Sequence, residues 1–162
     1  MGHRKIAVLS DENSISSIEL REAGYRACMA DYDIPVPEEY VVNLKTPGNA
    51  SDIDKLKRLM DSDIRPTAFF ACSDERAMIA VNWLKSNSYR VPDDVSVIGF
   101  DDLQEVISGY PLTTVRQNFY GRGYYACENV LRQIENGSDN LERQMFLSHQ
   151  LIIRDTVKNI NK

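Results

Sequence analysis

Thr67-Ala68-Phe69-Phe70-Ala71-Cys72 is an unbroken run of strand type, and Ser73-Asp74 follows it directly. Side-chain oxygens at Ser73 and Asp74 suit the free amides of a helix start. From there to about Asn87 the apolar residues Ala77, Met78, Val81, Trp83 and Leu84 accumulate as in a helix that packs on something. Val95 to Phe100 is then a second buried strand. Two apolar strands joined by a helix must run parallel, because a parallel pair needs a long crossover while a hairpin needs only a turn.

The same alternation extends towards the N-terminus. Lys5 to Leu9 is strand-like, and Ile15, Ile18, Tyr25, Cys28 and Met29 then mark a helix from Ile15 to Met29. Ile34-Pro35-Val36-Pro37 stops it, since proline cannot donate and restricts the residue before it. Tyr40 to Leu44 is the next strand and Thr46-Pro47-Gly48-Asn49 a turn. Ser51-Asp52-Ile53-Asp54 opens a further helix, with Ile53, Leu56, Leu59 and Met60 as its buried stripe. Beyond residue 100 a loop through Pro111 leads to a strand from Thr113 to Gln117. A helical pattern follows (Tyr124, Cys127, Val130, Leu131, Ile134, ending near Gly137), then a last strand from Met145 to Arg154. The expected fold is α/β: a parallel sheet with helices on both faces.

Composition narrows the function. The 162 residues, 43% hydrophobic and 27% charged, fit one soluble domain, and no apolar stretch reaches the length of a membrane span. The start resembles no signal peptide. Cys28, Cys72 and Cys127, odd in number and set in apolar patterns, read as reduced core residues of a cytoplasmic protein. A net charge of −5 argues against nucleic-acid binding by this chain, and the densest basic stretch, Lys55-Leu56-Lys57-Arg58, reads as a solvated helix face.

In an open parallel sheet, ligands bind beyond the carboxyl ends of the strands. The polar residues there are Ser10, Asp11, Glu12 and Asn13, then Lys45 and Thr46, Ser73 and Asp74, and Asp101 and Asp102. Asp74 suits a helix cap and Asp102 a short turn. Asp101 ends the apolar run Val97-Ile98-Gly99-Phe100, where a charge needs a partner or a ligand. Arg21, by composition alone, is a solvated helix residue. Enzyme signatures are missing. Gly121-Arg122-Gly123 lacks the further glycine of a dinucleotide loop, His3 and His149 lack metal-ligand spacing, and no serine has the flanks of a nucleophile elbow. Asp11, Glu12, Asp74 and Asp101 would suit a magnesium-dependent phospho-acceptor, but no lysine ends a late strand to pair the phosphoryl group. No metal, cofactor or catalysis is expected.

Several segments together resemble the effector-binding core of the lac repressor and galactose repressor family. These are Gly2-His3-Arg4-Lys5-Ile6-Ala7, Arg21-Glu22-Ala23-Gly24-Tyr25, Arg65-Pro66-Thr67-Ala68 with Ser73-Asp74-Glu75-Arg76-Ala77, and Val91-Pro92 through Asp102. Pro111-Leu112-Thr113-Thr114-Val115-Arg116-Gln117 and Leu151 to Arg154 complete the set. Ala80 and Ser88 stand where glycines are often seen, one proline precedes Leu112 where two are common, and Arg154-Asp155-Thr156 lacks the usual serine.

The resemblance implies a periplasmic-binding-protein-like lobe. Residues 1–112 would be the C-terminal lobe of the effector domain, 113–137 a return segment entering the other lobe, and 138–162 a final strand and tail. Most of the other lobe and the helix-turn-helix head would lie outside the chain. Arg21 and Asp101 are implied as effector contacts, with Ser73, Gln117, Asp11, Asn13 and Ser14 as further candidates. The implied effector is a sugar or a purine. Operator DNA would be held only through the head, and a solute-binding protein for sugar transport is the alternative. The implied partner is a second copy, through surplus apolar surface on the helix from Asp74 to Asn87. The return helix, Phe119 to Ile134, is expected to bury its apolar face against another chain, since both sheet faces should already have their helices.

Overall fold

The computed structural model describes residues 1–11, 16–45, 49–136 and 145–161. In chain order the elements are β1 (Ile6–Asp11), α1 (Ser16–Asp31), a short 3-10 turn (Glu38–Tyr40), β2 (Val41–Leu44), α2 (Ala50–Met60), β3 (Ala68–Ala71) and α3 (Asp74–Ser86). β4 (Ser96–Asp101), α4 (Gln104–Ile107), β5 (Thr113–Arg116), α5 (Phe119–Asn136) and β6 (Gln150–Ile152) follow. One sheet holds the strands in the order β2-β1-β3-β4-β5-β6. All pairs are parallel except β5 with β6, which run antiparallel. The α/β reading therefore holds, with one reversed edge strand.

Alternation of side chains along each strand divides the core. Leu9, Leu44, Phe69 and Val97 point to the face carrying α2 and α3, where Leu56, Val81 and Leu84 complete a fully buried cluster. Val8 points the other way, to Ile18, Tyr25 and Met29 of α1, with Cys72 beside them. Tyr25 stacks on Phe70 at 6.1 Å between ring centres and donates its hydroxyl to the Ile6 carbonyl at 2.7 Å. Burial raises the Tyr25 hydroxyl to about 12, so it stays a donor.

Helices flank the two faces unequally. Phe70 pairs with Ile98, Phe100 with Val115, and Val115 with Leu151, so this row continues the face that α1 covers. Ile98, Phe100 and Val115 are only half-buried, and Leu151 is 57% exposed. Both faces carry helices, as expected, but α1 covers β1 and β3 alone, and among the described residues no helix covers the rest of that row.

Other expectations shift locally. Asn49, not Ser51, caps α2, its side chain accepting from the Ser51 amide at 2.9 Å. Ile53 turns outward, so the stripe of α2 is Leu56, Leu59 and Met60. Cys72 is buried, whereas Cys28 and Cys127 are exposed, because both lie on the solvent side of their helices. The last strand covers Gln150–Ile152, three residues of the expected ten, since only they pair with β5. On α3, Ile79, Val81, Trp83 and Leu84 are buried within the chain and Met78 is partly covered. The surplus surface expected there is thus absent. On α5, in contrast, Tyr124, Val130, Leu131 and Ile134 are each more than half exposed. The helix is formed and does not fold back over the sheet.

The chain ends meet. Thr156 accepts from the Val97 amide at 2.8 Å through its carbonyl, and its hydroxyl accepts from the Thr113 amide at 2.8 Å. His3 Nε2 donates to the Lys158 carbonyl at 3.0 Å, and the Ile160 amide donates to the Met1 carbonyl at 2.9 Å.

Asp74 draws three elements together. It is fully buried at the first position of α3, and Ser73 is the cap, accepting from the Arg76 amide at 3.3 Å. The Asp74 carboxylate points away from its own helix. Oδ1 accepts from the Thr114 hydroxyl of β5 at 2.5 Å, and Oδ2 accepts from the Leu103 amide at 2.8 Å. The capping role expected for Asp74 therefore passes to Ser73. Gly99 of β4 lies against this carboxylate. A Cβ there would overlap Asp74 Oδ1 and sit 2.9 Å from Leu112 Cδ2. Gly99→Ala is expected to lower stability by about 1–3 kcal/mol, the usual cost of overpacking, seen as a lower urea midpoint. An unchanged midpoint would mean that β4 can move aside freely.

Candidate functional site

Four strand ends deliver the candidate residues to one edge of the sheet. Asp11 closes β1, Ser73 follows β3, Asp101 closes β4 and Gln117 follows β5. Together with Arg21 they line a single cleft of about 690 Å³. Asn13 and Ser14 lie outside the described residues.

Arg21 sits on the second turn of α1, and its side chain is only 16% exposed. Its Nη2 pairs with Asp101 Oδ1 at 3.1 Å, its Nη1 donates to the Cys72 carbonyl at 2.6 Å, and its guanidinium lies 4.0 Å from the centre of the Phe100 ring. That combination of ion pair, hydrogen bond and ring contact fixes the plane of the fork. The reading of Arg21 as a solvated helix residue is overturned: its helix face turns to the strand ends, not to water. Asp101 has a backbone φ of +118°, a region that L-residues seldom occupy. Strain of this kind gathers at ligand sites. Gln117 donates through Nε2 to Asp101 Oδ1, and its Oε1 accepts from Arg122 at 2.8 Å. Burial pushes the Asp101 carboxyl above its ordinary value, partly offset by Arg21 and Gln117.

Asp102 does different work. Its carboxylate accepts from Arg116 at 2.6 Å and from Arg154 at 2.7 Å, tying β4 to β5 and to the segment after β6. Leu103 stands at the cap position of α4. Asp102 is thus an ion-pair hub, not the cap expected from sequence. Arg76 and Arg122 also line the cleft. Both escaped the sequence analysis, although a cation in the first turn of a helix and an arginine between two glycines were visible signals. Among the described residues no three His, Cys, Asp or Glu side chains are placed to share a metal ion, and no helix is long and apolar enough to cross a membrane.

The family described as periplasmic binding protein-like domain matches residues 1–157. The chain belongs to it. Within this family of periplasmic binding protein-like domains, one relative is the HTH-type transcriptional repressor PurR of Vibrio parahaemolyticus. It is 34% identical over 164 residues, covering 99% of this chain and 48% of that protein. The chain spans about half the length of the curated relatives it matches. A regulatory protein of LacI family from Chloroflexus aggregans superposes with a TM-score of 0.81 at 27% identity, covering 97% of this chain and 56% of that one. A LacI family regulator from Enterococcus faecium, solved with bound ribose, gives a TM-score of 0.78 at 25% identity, covering 99% of this chain and 59% of that one. The periplasmic binding protein-like fold of this chain is thus one that known transcription regulators share.

The Asp102 hub yields a pH signature. Burial alone would raise this carboxyl, but the hydrogen bonds and charges of Arg154 and Arg116 outweigh it and hold the group below its ordinary value. A depressed folded value adds stability above the unfolded carboxylate value of about 3.9, and that stability is lost as pH falls through the folded value. Asp102→Asn should therefore be less stable than the parent at neutral pH, with the gap closing on acidification, as read by urea unfolding across pH. A gap that stays constant would contradict the ion-pair account.

Proposed function

We propose that this domain is the effector-binding part of a bacterial transcription repressor. It binds a small molecule, a sugar or a purine-like compound, and through that binding controls a DNA-binding head outside the described chain. The observation that carries the reading is the Arg21–Asp101 pair, held on one rim at 3.1 Å with Gln117 and Ser73 around the same cleft. A guanidinium fork beside a carboxylate offers donors and acceptors together, which suits hydroxyls or a heterocycle edge. The relatives supporting the regulatory role are repressors and LacI-type regulators, not enzymes or transport proteins. A solute-binding protein would share this fold, so the transport reading stays second.

Control over DNA follows if the effector favours one of two arrangements of a hinged pair of lobes. The family resemblance supports residues 113–137 as the segment that engages the other lobe, and the bare face of α5 agrees with that use. Self-association of this chain by itself belongs to the same proposal, with a second copy taking the place of the other lobe on that face. Since the apolar side chains of α3 are used within the chain, α5 offers the larger uncovered surface.

The effector reading is tested by calorimetry with ribose, other neutral sugars and purine bases. Arg21→Met and Asp101→Ala should each weaken the strongest binder at least about tenfold, the worth of one charge-assisted hydrogen bond. Unchanged affinity in both variants would remove the pair from the site. For association, sedimentation at tens of micromolar, an order-of-magnitude choice for a weak interface, should show dimers that Ile134→Glu disperses. A parent chain that is monomeric throughout would refute self-association through α5.

A further inference from the structure

Arg76 is hard to explain as a structural residue. It occupies the third position of α3, a helix of 13 residues, and is only 5% exposed. A helix start carries partial positive charge, so a cation in the first turn is unfavourable there. Burying a guanidinium costs more unless every N–H finds an acceptor, and an apolar residue of similar size often serves stability better. The acceptors fall short. Nη2 pairs with Asp11 and Nη1 with Glu75 at 2.9 Å, while Nε is buried without a hydrogen-bond partner among the described residues. An unmet donor of this kind calls for an explanation outside the fold.

Its position supplies one. Arg76 lines the cleft that holds Arg21 and Asp101, and Asp11, which anchors it, ends the first strand at the same rim. We infer that Arg76 is a second effector-reading guanidinium, whose Nε–H donates to an uncharged acceptor on the bound molecule: a hydroxyl, a carbonyl or a ring nitrogen. A small rotation of the side chain, with Asp11 kept as its partner, turns that N–H to the cleft.

The charges decide the class of molecule. Among the described lining residues, Arg21, Arg76 and Arg122 stand against Asp11, Glu75 and Asp101. The signs cancel, and Arg76 already has two carboxylates beside it. A phosphate or carboxylate at Arg76 would sit against both. A neutral molecule with an acceptor for Arg76 at one end and a donor for Asp101 at the other fits without excess charge. This inference rests on the effector reading above and adds both a residue and a selection by charge.

The test compares the parent chain with Arg76→Lys, Arg76→Met and Arg21→Met by calorimetry, using matched probes: neutral sugars and purine bases beside the corresponding sugar phosphates and nucleotides. Lysine keeps a cation for Asp11 but has no N–H at the Nε place. A neutral probe should bind the parent best, and Arg76→Lys should weaken it about tenfold to a hundredfold with its melting temperature close to that of the parent. Arg76→Met, which also removes the ion pair with Asp11, should lose both affinity and stability. Neutral binding that Arg21→Met abolishes and Arg76→Lys leaves intact overturns the role of Arg76 alone. Preference for the phosphorylated probes overturns the selection by charge. A folded parent that binds none of the probes overturns this inference and the effector reading together.

Discussion

A buried carboxylate that faces away from its own helix sets the geometry on which the cleft depends. Asp74 takes a hydrogen bond from Thr114 on β5 and another from the Leu103 amide in the loop after β4. Burial raises its carboxyl above the ordinary value, and the two donors partly offset that rise. The arrangement works only because Gly99 leaves room beside it. Asp101 and Asp102, both at positive φ, lie between Gly99 and Leu103. The loop bearing the principal acidic candidate is therefore held from below by a residue that does not itself line the cleft.

From that base the two aspartates divide their tasks. Asp101 turns to Arg21 and Gln117 across the cleft, whereas Asp102 turns to Arg116 and Arg154 at the far side of the sheet. One is raised by burial, and the other is held low by two guanidiniums. Adjacent identical residues thus acquire different chemistry from their surroundings alone.

Much of the fold was legible because its signals are local and repeated: apolar strands, caps and helical spacing along the whole chain. The parallel order follows from that alternation. What stayed hidden depends on three-dimensional neighbours. Nothing in the pattern around Ile53 distinguishes it from Leu56, yet one faces water and the other the sheet. Cys28 and Cys127 sit in apolar patterns but on solvent-facing sides of their helices. Strand β6 shrank because pairing, not residue type, decides its length. At the site, Asp11, Ser73 and Asp101 followed from the rule of strand ends, while Arg21 and Gln117 needed the family resemblance. Arg76 was missed because an arginine next to glutamate in a first helical turn looks solvated until its burial is seen.

The meeting of the chain ends has a consequence for local opening. The Ile160 amide donates to the Met1 carbonyl, and the tail is laced to His3 and Val97. Loosening either segment would release the other, so the amides of both should gain or lose protection from hydrogen exchange together.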